Sequence, residues 1–560
     1  MPELLSLIKT NCRDCHKCIR FCPVKAIKYT GQQAHIIDSQ CILCGQCYVV
    51  CPHDAKEIAD DRPLVESFLK NGQRTVAAVD PSFVAAFDGS GFKAFRTALK
   101  EFGFADAVEC GIGATLVKQE YEKLLREGSR SIILTSACPS INSMIEKYYP
   151  DVRQYLAPVI SPMVATAKLI KREDPNTRVV YIGPCIARKA EATGTEVDAV
   201  LTYTQLDEML TSAGYTIDRR MDADPKTRER TFALCGGIIS TLDVPESDYT
   251  FLALDGIHLC KSVLADISQG HLGKCFIELS ACRGSCVGGP DLRKHDNHPV
   301  QNYMAVKEYA GPEDYEVEPL DSDAMIHSFV SRQVTLKMPT EAEISQILHS
   351  MGKMTRADEL DCGTCGYDTC RDKAIAVYRG LADPSMCLPY IMEKSERISS
   401  SIIDNSPNGL LLLNDDFEIQ TINKAAMEFM NVKHQSDVLG ENIIRLLDPT
   451  PFFQVYESGK KIVNRRIYVS DYKKYFDQTI IRDHTTHTII CILRDVTDEE
   501  TQRQEKEQLG RTTAEIADRV VDKQMRIVQE IASLLGETTA ETKVALTKLK
   551  ESIENEDTAE

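Results

Sequence analysis

Sixteen of the 21 cysteines in this 560-residue chain stand in closely spaced, ordered sets. Cys12, Cys15, Cys18 and Cys22 run into Pro23, and Cys41, Cys44, Cys47 and Cys51 repeat that spacing into Pro52. Cys362, Cys365, Cys370 and Cys387 form a third set. The last four are Cys138, Cys185, Cys282 and Cys286, each shortly after an apolar run. Thiols grouped in this way suit ligation of a metal or an iron-sulfur cluster better than disulfides. The remaining five, Cys110, Cys235, Cys260, Cys275 and Cys491, read as small buried hydrophobes, with Cys235 in Leu-Cys-Gly-Gly the first exception to seek.

The elements that must hold the dispersed four thiols are short strands. Residues 131–135 lead into Ser136-Ala137-Cys138-Pro139, residues 178–182 into Gly183-Pro184-Cys185, and residues 276–279 into Ser280-Ala281-Cys282. Three strand ends thus supply four thiols. Ligands of open parallel sheets bind at the carboxyl ends of strands, where loops converge, and a four-thiolate iron-sulfur site is the expected product. Gly284, Gly288 and Gly289 are expected to let the backbone approach a bulky group. A strand over 76–79 and helical spacing over 92–102 and 116–126 predict an α/β domain with parallel sheets.

The tandem cysteine runs resemble the bacterial two-cluster ferredoxin pattern, in which the fourth cysteine of each run serves the other cluster. One 4Fe-4S cluster then takes Cys12, Cys15, Cys18 and Cys51, and the other takes Cys41, Cys44, Cys47 and Cys22. The Cys362 to Cys387 set, with a helix expected over 373–380, resembles a small iron-sulfur module of corrinoid and CO-dehydrogenase-associated proteins and implies an additional 4Fe-4S cluster, with zinc as the alternative. Strand, turn, strand over 406–419, a helix over 423–430 and two strands over 475–497 resemble a PAS domain. His484 and His487 bracket a turn there and are not expected to bind haem. Ile516, Val520, Ile527, Ile531 and Leu534, then Leu546, Leu549 and Ile553 beyond Gly536, predict a dimerising or output-coupling helical pair. No histidine follows His487, so the tail lacks a histidine phosphoacceptor.

The strand-end stretches between about 74 and 312 resemble the active-site signatures of FeFe-hydrogenases, T-S-C-C-P, P-C-x-x-K-x-x-E and E-x-M-A-C-x-G-G-C-x-x-G-G. That resemblance implies an H-cluster: a 4Fe-4S unit on Cys138, Cys185, Cys282 and Cys286, with Cys286 bridging to a di-iron centre bearing CO and cyanide. The departures are specific. Ala137 replaces the cysteine that donates protons in the family, and Ala157 stands at a relay serine position. The lysine beside the di-iron unit becomes Arg188, flanking methionines become Gly183 and Ser280, and a signature glycine becomes Ser285, whereas Lys189 and Glu191 persist. No carboxylate lies between Cys110 and Val117. A positioned proton-transfer group contributes about 10²–10⁴-fold, so its loss implies slow turnover.

The expected architecture is multidomain, α/β and α+β. A two-cluster ferredoxin module occupies 1–58, the H-cluster domain 59–345, the four-cysteine module 346–396, the PAS domain 397–500 and the helical tail 501–560. A charged segment over 60–74 and a polar stretch near Glu341 read as linkers. A net charge of -18 argues against a nucleic-acid surface, and no apolar run approaches the ~20 residues of a membrane helix. With no basic-then-apolar start, a cytoplasmic protein is expected. The combination resembles sensory FeFe-hydrogenases and implies H2 and protons as substrates, a ferredoxin or other redox partner, a downstream kinase or phosphatase, and a homodimer. Two other classes compete: a working ferredoxin-linked hydrogenase, and an iron-sulfur relay or assembly factor lacking the di-iron site.

Overall fold

The structure, a computed structural model, describes residues 4–87, 89–217, 226–244, 247–295 and 298–556. The chain divides into two compact units, 1–391 and 392–560.

In the first unit the duplicated cysteine runs fold as a duplicated backbone. Helices Lys17–Phe21 and Gln46–Val49 are each preceded by a left-handed residue, His16 and Gly45. Asp14 and Leu43, and then Lys25 and Asp54, repeat the left-handed turn at equivalent places in the two halves. These turns aim amides at sulfur: Ala26 N–H donates to Cys22 Sγ and Ala55 N–H to Cys51 Sγ, both at 3.3 Å.

Two parallel sheets form the centre. One has the strand order Asp106–Glu109, Thr75–Val79, Arg178–Ile182, Ala199–Leu201; the other is Thr250–Asp255, Cys275–Ser280, Ile132–Leu134. Runs such as Thr75–Val79 and Ile132–Leu134 are buried along their whole length because helices cover both faces. The helix expected over 116–126 starts earlier, as Gly111–Glu127, and Phe92–Phe102 forms as expected.

Both linker readings are corrected. Arg62–Lys70 is a helix that buries Val65 and Phe68, an apolar spacing hidden among charges. Glu341–Ser350 is a helix with a capping box between Thr340 and Glu343, which makes its polar start a helix signal.

The second unit contains a five-stranded antiparallel sheet ordered Ile419–Ile422, Gly409–Leu413, Thr488–Asp495, Lys474–Asp483, Ile462–Val469. Buried Asn423 ties its start together. Its side-chain carbonyl accepts from Leu410 N–H at 2.8 Å and Ala426 N–H at 3.0 Å, and its amide donates to Ile403 O and Asn408 O. His484 and His487 are exposed on the Asp483–Thr488 turn. The tail departs from expectation. It is one helix, Thr497–Glu556, running through Gly536. A glycine costs a helix interior only about 1 kcal/mol, too little to break a run of good helix formers. From Thr501 onward its described side chains are all exposed, so the apolar stripe has no partner within the described residues. Among those residues no helix is long and apolar enough to cross a membrane.

Candidate functional site

The carboxyl ends of both sheets converge on one cavity. Asp80 and Cys110 follow strands of the first sheet, as does Cys185; Ala137, Cys138 and Cys282 follow strands of the second. Cys138, Cys185, Cys282 and Cys286 all line it, together with Arg188, Glu278, Ser280 and Ser285. The four thiols predicted from separate signatures are therefore brought together. Burial, followed by the neighbouring thiols Cys185, Cys138 and Cys286, pushes the Cys282 pKa well up, and burial pushes Cys185 up to about 11. Such thiols become thiolates only when something positive is bound between them.

The pocket supplies one fixed cation. Arg188 is buried, pairs with Glu191, and donates from Nη2 to Ala137 O at 2.9 Å. Burial works against its charge, yet Glu191, Tyr181, Cys185 and Cys286 hold its pKa above the ordinary value. Glu191 is thus the anchor of Arg188, and Lys189 points elsewhere, to Asp61 Oδ2 at 2.9 Å. Gly183 is not among the lining residues. A Cβ there would meet the Tyr181 ring at 2.6–2.7 Å, so its small size makes room for tyrosine. A Cβ on Gly288 would strike Arg283 O at 1.7 Å, so that glycine serves a backbone crossing instead of an approach to the bound group. Ser280 and Ser285 do line the cavity and share a hydrogen bond at 3.0 Å.

Two lining groups, Asp80 and Cys110, are not visible as site residues in the sequence, and Glu278, which opens the third signature, has no role assigned to it there. Glu278, buried, accepts from Gly236 N–H at 3.0 Å and Ile239 N–H at 3.1 Å. Burial raises its pKa to about 7, against those amide bonds. Asp80 accepts from Tyr181 OH at 2.8 Å and from Ser82 N–H at 3.0 Å. Cys110, whose pKa burial pushes up, lines the cavity as well. Position after a strand is the available signal for Asp80 and Cys110. Cys235, half-buried, lies outside the lining set.

Two other cavities are each ringed by one predicted set: Cys12, Cys15, Cys18 and Cys51 in the first, Cys362, Cys365, Cys370 and Cys387 in the second. Burial dominates the high pKa of Cys47, with Cys22, Cys44 and Cys41 next, which groups the fourth set. The fold thus places the thiols of each expected set near one another. The central cavity holds about 70 Å³ against about 20 Å³ at each of these two four-thiol cavities, room for a larger group. Among the described residues no three His, Cys, Asp or Glu side chains close on a single metal ion. All-sulfur donors, N–H groups aimed at sulfur and a spacious central cavity fit iron-sulfur clusters and a bulkier centre.

The sites adjoin. Cys44 sits with Cys138 and Ala281 in one apolar cluster. The Cys362 to Cys387 module docks on the ferredoxin-like module through Lys25, whose Nζ donates to Ile19 O, Arg20 O and Gly366 O at 3.3, 3.1 and 2.9 Å. Tyr29 N–H donates to Leu381 O at 2.8 Å in the same interface.

Four grouped sets of thiols are the mark of an iron-sulfur protein. Residues 73–290 match the C-terminal domain of the iron-only hydrogenase large subunit, 5–52 a 4Fe-4S dicluster domain, 358–389 a putative Fe-S cluster domain and 397–466 a PAS domain. The chain therefore combines a domain like that of the iron-only hydrogenase large subunit with iron-sulfur modules and a PAS domain. It is 26% identical over 364 residues to the periplasmic iron hydrogenase large subunit of Nitratidesulfovibrio vulgaris, covering 51% of this chain and 86% of that one. It is 33% identical over 117 residues to the cytosolic Fe-S cluster assembly factor NAR1 of Eremothecium gossypii, 20% of this chain and 26% of that one. A solved variant of FeFe-hydrogenase HydA1 from Chlamydomonas reinhardtii aligns with 48% of this chain and 99% of its own, at 18% identity and a TM-score of 0.38.

Proposed function

We propose that the protein is a hydrogen-sensing FeFe-hydrogenase of low turnover, whose signal is a change in cluster redox state passed toward the PAS domain and tail. The observation that carries this reading is the central cavity, where four thiols, a buried arginine and a near-neutral glutamate meet in a space larger than the two other four-thiol cavities need. Cys138, Cys185, Cys282 and Cys286 would hold the H-cluster. When bound, that group supplies heterolytic cleavage of H2.

The chain's own residues supply the rest. Arg188 presents a cation whose orientation Glu191 and the Ala137 carbonyl fix. Ala137 has no proton to give, so the role of proton holder on the cavity wall falls to the Glu278 carboxyl, which burial raises to about 7. Asp80 is committed to Tyr181 and Ser82. Electrons leave toward the Cys22, Cys41, Cys44 and Cys47 site, whose Cys44 shares an apolar cluster with Cys138 and Ala281. Two copies would pair through Leu509, Ile516, Val520, Ile527, Ile531 and Leu534, exposed at coiled-coil spacing along the tail.

The likeness to NAR1 favours a second reading, an iron-sulfur assembly factor or relay without the di-iron centre. Exposing fully matured, full-length protein to H2 and following its clusters by electron paramagnetic resonance separates them. Reduced-cluster signals growing under H2, with slow viologen turnover, are expected for the sensor. Signals indifferent to H2 but responsive to dithionite would sink it, and fast viologen turnover would favour the ferredoxin-linked enzyme.

A further inference from the structure

Lys373 is a buried cation with almost no protein partner. It is 2% exposed, on the helix Cys370–Tyr378, which Thr369 caps through Asp372 N–H. It lines the cavity ringed by Cys362, Cys365, Cys370 and Cys387, and its ammonium donates one hydrogen bond, to Pro384 O at 3.1 Å. An ammonium carries three donors. Among the described residues it forms no ion pair. Burial pulls its pKa down, while Cys365, Cys387, Asp383 and Cys370, in that order, hold it up.

Arg188 shows the alternative arrangement. There the cation is answered within the protein by Glu191 and a carbonyl. A charge buried at Lys373 without such an answer is costly unless negative charge stands nearby. Apart from Asp383, which forms no ion pair with it among the described residues, the available negative charge is in the cavity itself, on the thiolates and whatever they hold. Lys353, 9% exposed, lines the same cavity, with Asp361 on its rim. The helix bearing Lys373 also lies against the ferredoxin-like module: its charge is one of those that depress His16, which lines the Cys12, Cys15, Cys18 and Cys51 site, after burial has done most of that work.

We propose that Lys373 sets the reduction potential of the group held by Cys362, Cys365, Cys370 and Cys387, stabilising an added electron so that the redox change is retained in this module. The inference rests on the reading that this site holds a 4Fe-4S cluster. One electron arrives, the adjoining ferredoxin-type site loses one, and no bond or proton moves. The added unit of negative charge is attracted by an ammonium that solvent does not screen. Lys373 is therefore a tuning residue that touches the cluster environment and takes no part in hydrogen chemistry.

The test is a dithionite titration of full-length, iron-reconstituted protein, followed by electron paramagnetic resonance and run without H2. The signal of this site is the one that C387A abolishes. In K373M its midpoint is expected to fall while the other signals stay in place, and K373R is expected to remain near wild type. A K373M protein that keeps this cluster with an unmoved midpoint would overturn the proposal, as would K373R shifting as far as K373M. Should K373M lose the cluster, K373Q keeps length and polarity without charge and is read in its place; loss from both variants would make Lys373 a folding residue and overturn the proposal too. Wild-type protein without any signal removed by C387A would instead overturn the cluster assignment beneath it.

Discussion

The central cavity and the Cys362 to Cys387 cavity are both rings of four thiols beside a buried cation, yet they are built differently. The first draws its thiols from three strand ends of two sheets; the second takes them from one local segment around a capped helix. The first offers about 70 Å³ and the second about 20 Å³. The first has a carboxyl titrating near 7 on its wall, and its cation is balanced by Glu191. Space and a proton holder suit bond-breaking chemistry, whereas a small cavity beside an unbalanced cation suits storage of an electron. On the proposed function, one chain would separate the reacting centre from the site where its result is kept.

The largest effect expected from this contrast is on cluster content. C282A should abolish hydrogen turnover and leave the C-terminal site loaded, while C365A should do the reverse to iron at that site and leave turnover measurable. Iron analysis paired with viologen assays checks both, and concerted loss in either variant would break the separation. Next comes proton supply. E278Q should lower proton reduction about 10²-fold, as expected for loss of a positioned proton-transfer group. Because the Glu278 carboxyl is protonated below its pKa of about 7, the wild-type rate of proton reduction should decline as pH rises through that value, and E278Q should lose this inflection.

A137C restores a thiol at the cavity wall and should raise turnover by about tenfold or more, within the range proton-transfer groups supply. An unchanged rate would mean that proton supply does not limit the native protein. The smallest effect should be at the interface between modules. Gly366 has φ +90, and a Cβ there would press on Ile19 Cβ and Arg20 N at 3.1 Å. G366A should therefore cost about 1–2 kcal/mol, chiefly for left-handed backbone, and loosen the C-terminal module in hydrogen exchange without altering turnover.

Much of this is legible in the sequence because cysteine spacing is a strong and local signal. The duplicated runs at Cys12 and Cys41, through the ferredoxin pattern they resemble, announce the crossed grouping. Strand ends followed by Cys138, Cys185 and Cys282 announce the convergence of sheets. What the sequence hides depends on packing. Glu278 has its pKa raised to about 7 because burial outweighs the amide bonds it accepts, and its place at the head of a signature says nothing of that. Gly183 reads as a cofactor neighbour, whereas the Tyr181 ring occupies the space it leaves. The strand Ile462–Val469 has no sequence signal because its successive residues 463–466 are exposed and give no alternation. Gly536 reads as a helix break, although glycine's penalty is small beside a long helical run. The docking of Lys25 on Gly366 joins residues too distant in the chain for any periodicity to show.

The most direct measurement is infrared spectroscopy of protein produced with the hydrogenase maturation machinery, recorded before and after exposure to H2. The account predicts CO and cyanide bands that shift under H2 and return when it is removed, together with slow turnover. Iron-replete, fully matured protein without such bands, or with bands indifferent to H2, would contradict it.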